Sequence, residues 1–186
     1  MSFTPTFQAI LTECERLDQS KAPKSKIREY FQTSVSQLSP FERINNLYRI
    51  RPKRPVVGQS SRLVFFSANT IQSTFWQSHT NRDLILKMRQ GGVTTFSCLV
   101  ALDLCLWSHG INAAIMAHVR DNVQKFFRIT KTAFTQFQKD WGDLYPVHNA
   151  IDNVSELQIA ETGSFLSVCT EAKGLTLDFL HISEAA

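Results

Sequence analysis

A pair of glycines in the middle of the chain, Gly91 and Gly92, gives the strongest local sign of chemistry. They follow the apolar run LILKM and precede the helical pattern VTTFSCLVAL, so a strand is expected to turn sharply into a helix. The first N–H groups of a helix have no partner within it, and the helix dipole favours an anion beside them. Glycine lets the backbone approach a ligand, and Thr94 or Thr95 offers a hydroxyl for Mg²⁺. Residues 84–97 therefore predict a phosphate site.

The same segment departs from the regular phosphate-loop pattern, in which G-x-x-x-x-G-K is followed by Ser or Thr. Val93 stands where that pattern has its lysine, and Lys87 stands where it has its first glycine. On the bare pattern, a tight structural turn between a strand and a helix is the better explanation of the two glycines.

Residues 87–95, KMRQGGVTT, resemble the deviant Walker A box of phage large terminase subunits, which has the form K-x-R-Q-x-G-x-(S or T)-T. The resemblance implies that Lys87 supplies the missing phosphate-binding charge from the start of the loop. It also implies that Arg89 stabilises charge developing on the γ-phosphate. The residues that it implies for ATP binding in this loop are Lys87, Arg89, Gln90, Gly91, Gly92, Val93, Thr94 and Thr95.

Residues 173–186, KGLTLDFLHISEAA, are similar to the Walker B region of the same family, where an apolar strand ends in His, an apolar residue, Ser and Glu. Glu184 is thereby implied to be the catalytic glutamate that orients or deprotonates the attacking water, together with Lys87 and Arg89 as catalytic groups. Ser183 stands where the regular motif has an aspartate, so Thr94 and Ser183 are the implied protein ligands of Mg²⁺. Taken alone, Glu184 is an exposed terminal carboxylate.

A third match lies upstream, in the segment NTIQ of residues 69–72. Terminases resemble helicases in placing a glutamine ahead of the phosphate loop, and its amide reads the adenine edge by two hydrogen bonds. The resemblance implies this role for Gln72, although a lone glutamine on a helix would carry no such meaning.

The resemblance covers residues 50–186 and implies a three-layer α/β/α P-loop NTPase core of the additional-strand type, with a helical preface before it. It implies ATP and Mg²⁺ as cofactors, and ATP hydrolysis that drives double-stranded DNA into procapsids. The implied partners are DNA, a portal protein ring, the small terminase subunit and further copies of the chain. The implied location is the cytoplasm of the infected bacterial host, transiently docked on the procapsid, with no membrane. The core is expected to be incomplete at its C-terminus, because the chain ends directly after the Walker B strand.

Two other functions stay open at this point. A helicase-like ATPase would use the same boxes on single strands. An inactive terminase fragment would only bind nucleic acid or partners.

The elements that must position these motifs follow from periodicity. Residues 1–50 predict a helical preface, in which Ser39, Pro40 and Glu42 form the start of the third helix. Residues 51–61 predict a basic, proline-rich linker, and residues 62–186 predict the ATPase core. Within the core, helices are predicted at 70–78, 94–107 and 120–137, and strands at 83–88, 111–117, 156–161, 164–169 and 176–182. This order is typical of an α/β fold, for which we expect a largely parallel sheet.

The positive charge of the chain is unevenly distributed along the sequence. Residues 1–62 carry 11 Lys and Arg against 5 Asp and Glu, so the net charge of +4 is concentrated in the N-terminal third. The basic stretch around 49–54 can contact nucleic acid phosphates, but a solvated linker is the better interpretation.

The four cysteines show no zinc-ligand spacing and are expected to be reduced thiols. No apolar run reaches the roughly 20 residues that span a bilayer, and the N-terminus does not read as a signal peptide.

Overall fold

The computed structural model describes residues 3–52, 63–85, 91–153, 155–172, 174 and 176–183. Its helices are α1 (Pro5–Gln19), α2 (Lys24–Ser36), α3 (Pro40–Leu47), α4 (Thr70–Ser78), α5 (Val93–Trp107) and α6 (Arg120–Trp141). All six were predicted from periodicity, and α6 extends four residues beyond its expected end. Within these ranges, no helix is both long enough and apolar enough to cross a membrane.

Helix starts follow the capping residues in the sequence. Ser39 accepts the N–H of Glu42 at 3.2 Å, and the Glu42 carboxylate accepts the N–H of Ser39 at 3.1 Å, with Pro40 in the first helical position. This confirms the predicted capping box of α3, which satisfies two backbone donors that the helix itself cannot.

The strands form two sheets. They are β1 (Arg49–Ile50), β2 (Val64–Phe65), β3 (Asn112–Ala117), β4 (Asn149–Asp152), β5 (Glu156–Ile159), β6 (Phe165–Cys169) and β7 (Phe179–Ser183). β1 and β2 pair antiparallel, and the larger sheet has the order β4-β5-β6-β3-β7. Strand β3 pairs in parallel with β6 on one side and with β7 on the other.

The larger sheet is mixed, and the expectation of a largely parallel sheet was wrong. Its β4-β5-β6 half is antiparallel, because the predicted hairpin joins β5 to β6 through Gly163, whose φ is +65°. Strand β4 was not predicted and adds to the outer edge of this hairpin. The mixed α/β class is nevertheless as expected.

Helix α5 lies at the centre of the molecule. Eleven of its 15 residues are buried, on every side of the helix. It contacts α3 and α6 as well as β3, β6 and β7, which is why its sequence is apolar all round. The sequence of the helix thus indicates a core position, and that position fixes where its N-terminal end lies.

The three N-terminal helices share one hydrophobic core with α5 and α6. The rings of Phe7 and Phe31 pack on Trp141 of α6, with centroids 5.4 and 5.8 Å apart. The indole N–H of Trp141 also donates to the backbone carbonyl of Leu47 at 3.0 Å. The predicted linker lies outside the described residues except for its first two positions, so the predicted domain division stays a prediction.

The strand predicted at 83–88 is not formed in the part that the structure describes. Residues 83–85 are irregular, and the Leu84 side chain is 90% exposed. The Asp83 carboxylate accepts both the N–H and the hydroxyl of Thr80, at 2.9 and 2.8 Å, so a local turn competes with an extended strand. The remainder of that predicted strand lies outside the described residues.

Candidate functional site

The glycine turn leads into the first turn of α5. Gly92 is the N-cap residue, with φ +75° and ψ 6°, and no side chain caps the helix there. Its carbonyl accepts the N–H of Phe96 at 3.0 Å, which closes the first helical turn. The N–H groups of the residues between them have no partner within the helix. The positive end of the α5 dipole therefore adjoins a backbone turn that favours an anion.

Two side-chain amides of α4 hold this turn. Asn69 Nδ2 donates to the carbonyl of Gly91 at 3.2 Å, and Gln72 Nε2 donates to the carbonyl of Gly92 at 2.8 Å. The same two residues form the capping box of α4: Asn69 Oδ1 accepts the N–H of Gln72 at 3.0 Å, and Gln72 Oε1 accepts the N–H of Asn69 at 2.9 Å. Each side chain thus bonds both to its own helix start and to the glycine turn.

The Gln72 side chain is only 3% exposed. Its amide nitrogen and its amide oxygen both have protein partners, Gly92 and Asn69. The adenine-reading role implied for Gln72 stays a prediction, and it would require at least one of these bonds to exchange for a bond to the base. No role for Asn69 was predicted from the sequence, although the N-x-x-Q capping pattern is a signal that could have revealed it.

Gly92 is tightly enclosed by α4. A Cβ atom at this position would lie 2.7 Å from Gln72 Nε2 and 3.6 Å from Asn69 Nδ2. Its positive φ is also a conformation that side chains other than glycine seldom adopt. The close approach of α4 and the backbone conformation therefore both require glycine here.

The C-terminal end of β7 meets the start of α5. The hydroxyls of Thr94 and Ser183 lie 3.0 Å apart, although 89 positions separate them in the sequence. Ser183 is 3% exposed and pairs with Ala117 at the end of β3, while Thr94 is partly exposed. The site therefore lies at the carboxyl ends of the parallel strands, where α/β sheets bind their ligands.

The remaining predicted residues of the turn have different environments. Val93 is 1% exposed, so its side chain belongs to the core and only its backbone faces the turn. Thr95 is partly exposed. The structure thus brings together seven of the residues that the sequence singled out: Gln72, Gly91, Gly92, Val93, Thr94, Thr95 and Ser183. The other four, Lys87, Arg89, Gln90 and Glu184, lie outside the described residues.

The two hydroxyls fit Mg²⁺ as hard oxygen ligands, but they carry no negative charge. Mg²⁺ keeps several waters and is usually bound together with substrate phosphates, so this pair suits a cation that arrives with a nucleotide. In the part of the chain that the structure describes, His, Cys, Asp and Glu side chains form no group of three that could hold a metal ion. The residues present therefore fit the metal of a metal–nucleotide complex.

Two cysteines of α5 are packed in the hydrophobic core. Cys98 and Cys105 of α5 are buried, and burial raises the pKa of each thiol to about 12, so both stay protonated. All four cysteines are free thiols, as predicted.

A scan of the chain against models of known protein families finds no match, and no curated protein is significantly similar to it. Its function is therefore inferred from the geometry of the turn and from the motif resemblance.

Proposed function

We propose that the chain is the ATP-hydrolysing motor domain of a large terminase subunit, and that the Gly91–Gly92 turn binds the phosphates of ATP. One observation carries the proposal: Thr94 at the start of α5 and Ser183 at the end of β7 lie with their hydroxyls 3.0 Å apart. These residues belong to the two motifs that the resemblance treats as halves of one site. A nucleotide site requires these two motifs to lie side by side. A turn that serves only to join a strand to a helix does not require it.

The fold supports this proposal. Strands β3 and β7 are parallel neighbours, and α5 begins at the carboxyl end of β7. A P-loop core likewise presents a helix N-terminus to phosphate at the carboxyl ends of parallel strands, which supports the proposal. The proposed core is therefore a three-layer P-loop NTPase of the additional-strand type.

Each residue at the turn has a proposed task. The backbone N–H groups at the start of α5 bind phosphate oxygens, and the Thr94 and Ser183 hydroxyls hold Mg²⁺ directly or through water. Lys87 and Arg89 supply positive charge at the phosphates, and Glu184 accepts a proton or a hydrogen bond from the attacking water. Mg²⁺ held there would supply positive charge that offsets the negative charge of the phosphates during hydrolysis to ADP and phosphate.

The wider role follows from the family that the motifs resemble. Hydrolysis would drive double-stranded DNA into a procapsid, with a portal ring and the small terminase subunit as partners. This would take place in the cytoplasm of the infected bacterium.

The test is titration of Mg-ATP into the protein and into Thr94→Val, which keeps the side-chain volume and removes the hydroxyl. We expect the parent protein to bind, and the variant to bind roughly tenfold or more weakly, the scale of one charge-assisted contact. The difference should shrink when EDTA removes Mg²⁺. Thr74→Val, on the exposed side of α4, is the matched control and should bind like the parent.

Failure of the parent to bind, or equal binding by Thr94→Val, would overturn the nucleotide site. Binding of Mg-ATP by the parent without any hydrolysis would contradict the proposed ATPase activity while leaving the nucleotide site in place.

A further inference from the structure

Gln72 is the only fully buried side chain of α4, and it is polar. An apolar residue would be the usual choice for a buried helix position, because a buried amide costs free energy unless its polar atoms are bonded. Here the amide is bonded on both sides, to Asn69 and to Gly92. The bond from Gln72 to Gly92 distinguishes this capping box from the capping box of α3.

The bonds from α4 also orient the peptide planes of the turn. The structure contains no cis peptide bond among its described residues, and in a trans peptide the C=O of one residue and the N–H of the next point in opposite directions. The carbonyls of Gly91 and Gly92 are drawn toward α4. The N–H groups of Gly92 and Val93 therefore point away from the α4 amides that bond the two carbonyls.

We propose that Asn69 and Gln72 are positioning residues, which fix the Gly91–Gly92 turn in its anion-binding form before any ligand arrives. The inference rests on the proposed function, in that the anion is the phosphate group of a nucleotide. Preorganisation raises affinity because the cost of ordering the turn has been met during folding.

This role has a consequence for substrate class. We call the two bonds from Asn69 and Gln72 to the glycine carbonyls the clamp. The clamp orders the turn that binds the phosphates and does not contact the base, so it should raise the affinity for every nucleoside triphosphate equally. A glutamine that reads adenine would instead favour ATP over GTP, because its amide matches the edge of one base only. The two roles compete for the same Nε2 atom, which in the structure donates to Gly92.

Two substitutions remove the donors and add a negative charge. Gln72→Glu and Asn69→Asp each keep the oxygen that completes the capping box of α4 and lose the N–H that reaches the turn. Asn69→Ser is a neutral counterpart, since serine caps well and is too short to bond Gly91. Gln77→Glu introduces the same charge at an exposed position of the same helix and serves as the matched control.

The experiment has two readouts. Hydrogen exchange of the nucleotide-free protein measures protection of backbone amides in residues 91–99, and titration measures the dissociation constants for Mg-ATP and Mg-GTP. We expect faster exchange of these amides in all three variants, while the control matches the parent. We expect roughly threefold to tenfold weaker binding of ATP and GTP alike, the effect of losing one hydrogen bond.

Unchanged exchange in Asn69→Ser and Gln72→Glu would overturn the clamp. A loss confined to ATP would overturn it in favour of adenine reading by Gln72. If the parent protein bound neither nucleotide while exchange still responded to the variants, the clamp would stand as a feature of the fold, and the proposed function would fail.

Discussion

The two ends of helix α5 meet the rest of the molecule in different ways. Toward its C-terminal end, Asp103 is fully buried and accepts three hydrogen bonds from Arg43, two at 3.1 Å and one at 2.8 Å, and one from the Tyr48 hydroxyl at 2.8 Å. At its N-terminal end, the described contacts are neutral: two amides on the glycine carbonyls and one pair of hydroxyls. One end is a charged joint to α3, formed by Arg43 and Asp103, and the other is a glycine turn whose carbonyls accept from α4.

The two ends of α5 are suited to different tasks. The joint is complete, because the Arg43 guanidinium also donates to the Leu38 carbonyl and lies 5.3 Å from the centre of the Trp107 ring. Burial raises the pKa of Asp103 to about 6, and the bonds from Arg43 and Tyr48 oppose that rise. At the turn, by contrast, the proposed function assigns the backbone N–H groups at the start of α5 to a phosphate ligand. We infer that the joint fixes the position of α5 against α3, while the other end of α5 is the proposed nucleotide site.

The largest expected effect comes from breaking the joint. Arg43→Met leaves the Asp103 carboxylate buried without its cation and should lower the free energy of unfolding by about 3–5 kcal/mol near neutral pH. The folded pKa of Asp103 lies above its usual 3.8, so its favourable contribution is present at low pH and is lost as the pH rises through about 6. Removing Arg43 raises that pKa further, so the deficit should be larger at pH 8 than at pH 5.

Urea denaturation of the parent and the variant at both pH values measures this deficit. Arg16→Met removes an exposed pair with Glu13 on α1 and should change stability little at either pH. An Arg43→Met deficit that did not grow with pH would contradict the buried-carboxylate account of the joint.

A smaller effect is expected from Glu184→Gln, which tests the catalytic role proposed for this glutamate. The change keeps shape and removes the proton-accepting charge, so turnover of ATP should fall by about 10²-fold while affinity for Mg-ATP stays within about twofold. Steady-state hydrolysis and titration on the same samples measure the two quantities. Glu15→Gln on the exposed face of α1 is the control. Turnover at the parent rate would remove Glu184 from the catalytic site.

The smallest of these effects is expected from Lys87→Ala, which tests the lysine that the resemblance places at the start of the loop. Val93 is a core residue and cannot contact phosphate with its side chain, so the proposed phosphate site requires Lys87 to supply the charge. Lys87→Ala should weaken Mg-ATP binding roughly tenfold, the value of one charge-assisted hydrogen bond, while Lys173→Ala should have little effect. Titration of both variants decides the matter, and equal losses would contradict the deviant-loop assignment.

Much of the fold could be predicted because its signals are local. The bounds of α4 were predicted to the residue, and α5 and β3 within one residue of where they begin and end. Strands β1, β2 and β4 were missed, since each is short and exists only through a partner brought in by the fold, as in the pairing of Arg49 with Phe65. Pairing of this kind leaves no periodicity in the sequence.

The site was predictable in part for the same reason. The glycine turn is a local pattern, and the motif resemblance assigned Thr94 and Ser183 to one metal. The bond from Asn69 to Gly91, in contrast, depends on where α4 packs. The Arg43–Asp103 joint spans 60 positions and likewise has no local signature. What the sequence could not supply is the relative placement of elements, which the shared core decides.

The most direct test of the central claim compares two glycines of similar backbone conformation. Gly92 has φ +75° and a Cβ there would lie 2.7 Å from Gln72 Nε2, whereas Gly110 has φ +67° with nothing within 4 Å. Alanine at either position costs roughly 1 kcal/mol of backbone strain, but only Gly92→Ala displaces the Gln72 amide from the turn. Titration with Mg-ATP should show at least about tenfold weaker binding by Gly92→Ala and near-parent binding by Gly110→Ala. Equal affinities of the two variants would contradict a nucleotide site at this turn.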